Sequence, residues 1–253
     1  MGIKIDLERS VQENAGTYYN LAKKMRKKSE GVESAILDTK KKIKKARKKE
    51  VKVEKKVVRI VRKKEWYESY EWSFTNSGKL VLMGRSAKEN DAVVAKYFEE
   101  GDLFFHADIR GGSATILKGG IDAGEEDKEF AAILSVCFSK AWGRGFAVAD
   151  TYSATREQVS KHLDGGFVAA GGFAISGTRT WYRNTPLKLR IGIDEKNRIV
   201  VGAPSADWMK RSVVVVPGKM AKGEGVKKLA KILDADPTEI QSMLPAGSLS
   251  IEK

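Results

Sequence analysis

The chain has 253 residues, 42% of them hydrophobic, and a formal net charge of +14; its mean hydropathy is −0.38 and its isoelectric point is about 9.6. That length supports one good core, or a core with an appendage, and no run nears the roughly 20 apolar residues a membrane span needs. The basic excess points to an anionic partner, nucleic acid ahead of an anionic membrane surface, because the basic stretch lacks the bulky apolar face of a membrane-lying helix.

The excess has one address. Between Lys23 and Lys64 the sequence holds 20 Lys and Arg against 5 Asp and Glu, a net of +15, so the remainder sums to −1. From Val11 onward, apolar residues recur every seven positions. One seam runs Val11, Tyr18, Met25, Val32, Thr39, Ala46, and the other Ala15, Ala22, Ser29, Ile36, Ile43. This spacing predicts a coiled-coil helix with Asp6 as its N-cap, running unbroken through Gly31. A seam so poor in Leu needs a partner. Val53, Val57, Ile60 and Val61 repeat the spacing, so a turn near Lys49–Val51 would fold this segment back antiparallel. The β-branched run Val57–Val58 and Ile60–Val61 makes an extended segment the rival reading. Either way the cations lie off the seam. Lys41, Lys44, Lys45, Arg47, Lys48, Lys55 and Arg59 are the expected polyanion contacts.

The body opens on Trp66, Tyr67, Tyr70, Trp72 and Phe74. Asn76-Ser77-Gly78 predicts a hairpin between Trp72–Thr75 and Leu80–Met83. Ser86 with Glu89 forms a capping-box pattern for a helix to about Phe98. Alternation predicts a strand from Leu103 to Asp108, broken by Gly111-Gly112, and another at Ser113–Leu117. Glu125 to Trp142 has the apolar spacing of one buried helix closed by Gly143 and Gly145. Short strands are expected at Phe146–Thr151, Ala174–Ser176, Leu187–Ile193, Arg198–Val201 and Val213–Val216. A helix follows at Val226–Leu233, and Asp236-Pro237-Thr238-Glu239 starts a last one. The expected fold is α+β, in three parts: a basic coiled-coil arm over 1–64, a mixed β-sheet domain over 65–195, and a small α/β extension over 196–253.

Known reaction chemistry has no foothold. The sequence has no phosphate-binding G-x-x-x-x-G-K-[ST], no G-x-G-x-x-G, no H-E-x-x-H and no paired C-x-x-C. Cys137, the single cysteine, has apolar neighbours and is expected to be a buried thiol, in keeping with a reducing, cytoplasmic setting. No secretory leader is expected, since the N-terminus lacks an apolar stretch of signal length. His106 with Asp108 gives too few ligands for a metal. A buried polar pair is the preferred reading of the two. No catalytic residue, cofactor or metal is expected.

Several ordered motifs carry a resemblance. Trp66-Tyr67-Glu68-Ser69-Tyr70-Glu71-Trp72 resembles the opening of the NFACT RNA-binding domain. Gly84-Arg85-Ser86-Ala87 with Glu89-Asn90-Asp91, the run Phe105 to Gly112, Ser139-Lys140-Ala141-Trp142 and Gln158-Val159-Ser160-Lys161 are similar to that family's later motifs. Ile5-Asp6-Leu7 with Asn14-Ala15 and Tyr18-Tyr19 resembles the start of its coiled-coil arm. Val213–Gly218 and Glu239-Ile240-Gln241 with Leu244-Pro245 resemble the tail of its archaeal members. Ser86 stands where the family usually has Asp, and Gly112 where it has Ala.

The resemblance implies a ribosome-associated quality-control factor that binds the large ribosomal subunit and tRNA and promotes tailing of stalled chains, with peptide-bond formation left to the ribosome. The family's N-terminal and helix-hairpin-helix domains, with the Asp-Arg pair needed for tailing, have no counterpart here. The chain is then read either as a piece of a longer protein or as a natural C-terminal half that works with a separate N-terminal NFACT chain, and a standalone nucleic-acid-binding module, DNA included, is the further alternative. The implied RNA-binding residues are Arg85, His106, Asp108, Arg110, Gly111, Gln158, Ser160 and Lys161. Arg and Lys would hold phosphate, and His106 would donate to a phosphate or stack on a base. Trp66 and Trp72 are read as core residues ahead of base-stacking ones.

Overall fold

Residues 3–54, 64–163 and 166–252 are described by a computed structural model. The chain divides into two units, Met1–Lys63 and Lys64–Lys253. The first is built on one helix, α1, Val11–Glu54, 44 residues long, or about 66 Å at 1.5 Å per residue. It is continuous through Gly31, as the seam register requires. It is also continuous through Lys49–Val51, so the expected turn is absent. Helix-favouring Lys, Arg and Glu dominate that stretch, with no Gly or Pro to stop it. The fold-back of Val57, Ile60 and Val61 lies outside the described residues.

The cap of α1 is Ser10, not Asp6. Ser10 Oγ accepts the Glu13 N–H and the Glu13 carboxylate accepts the Ser10 N–H, a reciprocal box. Asp6 instead takes the Glu8 N–H in a turn before the helix. Asn14 accepts the Asp6 N–H and donates to the Asp6 carbonyl, while the Tyr18 hydroxyl donates to the Lys4 carbonyl. The motif residues around Ile5 thus clamp the leading segment onto the first turns. The seam residues Val11, Met25, Val32, Ile36 and Ile43 are all exposed. Among the described residues no helix is long and apolar enough to cross a membrane.

In the second unit Trp66–Ser69 form a short 3-10 turn, followed by the hairpin β1, Glu71–Phe74, and β2, Leu80–Met83. Then come α2, Ala87–Tyr97; β3, Leu103–Ala107; β4, Thr115–Leu117; α3, Glu125–Cys137; α4, Lys140–Gly143; and β5, Val148–Ala154. Four two-residue strands follow, β6, Val159–Ser160; β7, His162–Leu163; β8, Gly166–Phe167; and β9, Ala174–Ile175. The chain ends with β10, Thr180–Pro186; β11, Leu189–Ile193; β12, Ile199–Gly202; β13, Arg211–Met220; α5, Lys222–Leu233; α6, Pro237–Met243; and β14, Leu249–Ile251.

Six strands form one sheet in the order β1-β2-β4-β3-β5-β10, and four form another in the order β12-β11-β13-β14. Every described strand pair is antiparallel, so the sheets are not mixed. Four of the ten described pairs join strands that are consecutive elements of the chain, and the others are antiparallel as well. The fold is α+β. The boundary expected at 195/196 falls in the turn between β11 and β12, so the second sheet takes strands from both sides of it. Ser73 of β1 donates to the Val201 carbonyl of β12 and joins the two sheets.

Other elements depart locally from the sequence reading. The helix expected from Glu125 to Trp142 breaks at Phe138, because Ser139 caps a new turn by accepting the Ala141 N–H. Apolar spacing continues across the break and hides it. β10 escaped notice because it is a largely exposed edge strand with no apolar alternation. Cys137 is fully buried and burial pushes its thiol up, which makes it a packing residue.

Candidate nucleic-acid interface

The turn after β3 shapes one wall of a concave site. Gly111 adopts φ +92°, which favours glycine, and the Lys140 side chain lies where a Cβ would sit, 2.7 Å from its Cδ and Cε. The Lys140 N–H donates to the Gly111 carbonyl, so α4 is tied to this turn. A second wall is the start of α2, where Ser86 Oγ accepts the Glu89 N–H. The Glu89 carboxylate takes the Arg85 N–H, one residue earlier than a full capping box would use. The third wall is the 168–173 loop. Its Gly171 N–H donates to the Asp91 carboxylate.

Asn90 ties the three walls together. It is 5% exposed. Its Oδ1 accepts the Ala114 N–H at 3.1 Å, and its Nδ2 reaches the Gly112 and Gly171 carbonyls at 3.3 and 3.4 Å. Gly84 is more than a strand-end glycine, since a Cβ there would stand 2.3 Å from Asn90 Oδ1. The open concavity between them is about 770 Å³ and is lined by Arg85, His106, Arg110, Lys140, Tyr152 and Phe173, among others. A space of that size admits a nucleotide-sized group.

Among the described residues neither Arg110 nor Lys140 is paired with a carboxylate, and both are exposed. Arg85 is more constrained: it meets Glu71 at 3.3 Å and Glu89 at 3.7 Å and donates to the Ser69 carbonyl. Burial holds His106 below the usual imidazole range, against the opposing pull of the Ala107 and Gly112 carbonyls and of Asp108. The ring is therefore neutral at pH 7, with its one N–H engaged by these carbonyls, which leaves it to stack. Among the described residues no group of three or more His, Cys, Asp and Glu converges to hold a metal ion.

Glu71, on β1, is the buried partner of Arg85. Burial raises its carboxyl to about 7, despite Arg85 and Lys222 nearby, and among the described residues its Oε2 has no hydrogen-bond partner. The folded state thus binds a proton that the unfolded chain gives up near pH 4.5. Stability should fall as pH rises from about 5 to 8, by on the order of 2 kcal/mol. Urea titrations at pH 5, 6, 7 and 8 should show that slope in the native sequence and a flatter one in Glu71→Gln.

The structure brings Arg85, His106, Arg110 and Gly111 together in the concavity. Lys161 stands beside it as a prop. It pairs with Asp91 at 2.6 Å, donates to the Gly172 carbonyl at 2.7 Å and lies 4.6 Å over the Phe173 ring. Asp108 is exposed, so the expected buried pair with His106 does not form. The turn at Asp108 ends the strand alternation that suggested it. Gln158 donates to the Ser176 and Thr178 carbonyls and accepts the Thr155 N–H, and Ser160 Oγ accepts the His162 N–H. Both side chains hold turns.

On α1, Lys41 is exposed, with Asp38 at 4.0 Å. Lys44, Lys45, Arg47 and Lys48 lie on its backbone, and Lys55 and Arg59 lie outside the described residues. Trp72 is buried among Tyr67 and Phe74, and Trp66 is half-exposed with its ring stacked on Tyr97. Sequence reasoning quoted Asn90 within a family motif but gave it no role, and it missed Tyr152 and Trp181. The first looks like one more polar residue on a helix, and the last lies on the unrecognised β10.

Comparison with known proteins bears on this site directly. Residues 66–177 match the model of the NFACT protein RNA binding domain. The archaeal Rqc2 homolog aRqcH of Methanocaldococcus jannaschii is 38% identical over 205 residues, which are 77% of this chain and 30% of that protein. The ribosome quality control complex subunit NEMF homolog of Drosophila melanogaster is 29% identical over 200 residues, 76% of this chain and 20% of that one. Among solved structures, the C-terminal part of the fibronectin/fibrinogen-binding protein from Streptococcus suis is 26% identical, covering 52% of this chain and 50% of its own, with a TM-score of 0.41. The chain thus spans less than a third of the length of these two curated relatives.

Proposed function

This chain belongs to the NFACT family, whose RNA-binding domain occupies residues 66–177, and on that basis we propose that it is a non-catalytic RNA-binding module of ribosome-associated quality control. Its targets in this reading are large-subunit ribosomal RNA and tRNA. The observation that carries the reading is the concavity within the matched domain, where Arg110 and Lys140 stand exposed beside a neutral His106. Cations there hold phosphate, and the imidazole and neighbouring rings meet bases. The basic helix α1 adds attraction without sequence preference.

Binding of the full chain to purified large ribosomal subunits tests this. Affinity should fall steeply between 50 and 200 mM salt. Changing Lys41, Lys44, Lys45, Arg47 and Lys48 together to Gln should weaken it about 30-fold at the lower salt and flatten the salt slope by roughly 4. Salt-insensitive binding, or none, would sink the proposal. Equal affinity for duplex DNA would instead mark a general nucleic-acid module.

The exposed seam of α1 favours a second reading for that element alone, a coiled-coil contact with a separate N-terminal NFACT chain. Its mark would be co-purification of such a chain after nuclease treatment.

A further inference from the structure

The six-stranded sheet has one face on α3, where Thr151 of β5 donates to Ser135. The opposite face carries a row of rings. In the strand register His106 of β3 stands directly across from Tyr152 of β5, and Tyr152 directly across from Trp181 of β10. The ring centroids are 6.1 Å and 5.4 Å apart. His106 and Tyr152 line the concavity, so the row leads from it to the sheet edge. Trp181, at that edge, is 36% exposed, whereas Tyr152 is only 8% exposed.

Two guanidinium groups lie on this row. Arg179 sits 4.6 Å over the Tyr152 ring, and Arg183 sits 3.9 Å over Trp181. Arg183 is held in place by the Asp150 carboxylate at 2.6 Å, which also accepts the Asn184 N–H. The guanidinium is therefore preorganised, and the hydrogen bond from Arg183 keeps Asp150 ionised, so the two charges offset each other. Flat cationic planes beside aromatic rings at a strand edge match the two needs of a nucleic-acid strand, stacking for bases and charge for phosphates.

Spacing selects the form of the strand. Neighbouring β-strands lie about 4.8 Å apart, whereas bases stacked in a helix rise only about 3.4 Å. Bases seated on successive rings of the row cannot remain stacked on one another. A paired helix also keeps its bases inside, and its deep major groove admits no such platform.

We propose that this sheet face binds an unpaired RNA strand, one base against Trp181 and Arg183 and the next on the Arg179 guanidinium that covers Tyr152. The proposal rests on the RNA-binding reading above and adds the form of RNA and the residues that select it. The concavity takes the following nucleotide, with Arg110 and Lys140 at its phosphate.

The test uses the full chain at 150 mM salt, where long-range attraction by α1 is screened. Fluorescence anisotropy compares a labelled single-stranded RNA of about 12 nucleotides with the same sequence as a blunt duplex. The single strand should bind about tenfold more tightly. Trp181→Ala should weaken it about tenfold and change duplex binding less than about twofold, while Trp181→Phe should stay within about threefold of the native chain. Arg183→Gln, which keeps every ring, should cost the single strand about fivefold. Circular dichroism confirms that each variant is folded. Equal binding of both RNAs, with Trp181→Ala and Arg183→Gln affecting neither or both alike, overturns this inference and leaves the RNA-binding reading standing. Failure of the native chain to bind either RNA or the ribosomal subunit overturns that reading itself.

Discussion

Replacing Asn90 with Ala is expected to destabilise the second unit by about 3 kcal/mol. The side chain is buried and accepts one backbone N–H while donating to two carbonyls. Ala would leave the Ala114 N–H, itself buried, without its acceptor, and each such orphan costs about 1–3 kcal/mol. The loss should lower the melting temperature by about 6–12 °C for a unit of this size. RNA affinity should fall as well, because the three walls of the concavity lose their common tie. Asn90→Asp keeps the acceptor and removes both donors, and it buries a charge, so it should be no milder. Urea denaturation followed by tryptophan fluorescence measures the first effect. A loss below about 1 kcal/mol would show that the walls are held by other contacts.

Arg198→Ala should cost as much or more, about 3–5 kcal/mol. The residue is 9% exposed. Its Nε meets Asp194 at 2.6 Å, its Nη1 meets Glu68 and the Tyr67 hydroxyl at 3.2 Å, and its guanidinium lies 4.5 Å over the Trp72 ring. Removing it leaves the buried Asp194 carboxylate facing an empty space, the costly way to break a buried pair. Arg198→Lys keeps the charge but loses the fork and the stacked plane, and should recover about half of the stability. Thermal melts of the three proteins order these outcomes. Equal melting temperatures for Arg198→Ala and the native chain would rule out a structural role for the pair.

The parts of the fold legible in the sequence are those set by local rules. The hairpin at Asn76-Ser77-Gly78, the cap at Ser86, the alternation from Leu103, the α5 amphipathicity and the Asp236 cap all depend on residues within a few positions of one another. The breaks and joins are set by distant partners. Ser139 ends one helix and begins another because its hydroxyl takes a backbone N–H, a choice that apolar periodicity does not register. β10 is held by its ladder to β5 and carries no apolar stripe of its own. Arg85, His106, Arg110 and Gly111 are grouped by the sequence because they sit on short motifs. Asn90 holds residues more than 20 positions away, Trp181 meets Tyr152 across the β5–β10 ladder, and no local pattern reveals either link.

The Arg198–Glu68 contact spans 130 positions, and Ser73 reaches Val201 across 128. The aromatic opening of the second unit therefore cannot be sealed as it is made. At about 5–20 residues per second, synthesis of the intervening chain takes roughly 6–26 s. Throughout that interval Trp72 and its neighbours lack their final cover, and high contact order slows closure further. Misfolding risk for this protein is thus concentrated in the time between translation of its first strand and its twelfth, when a chaperone or the exit-tunnel surface has the most to protect.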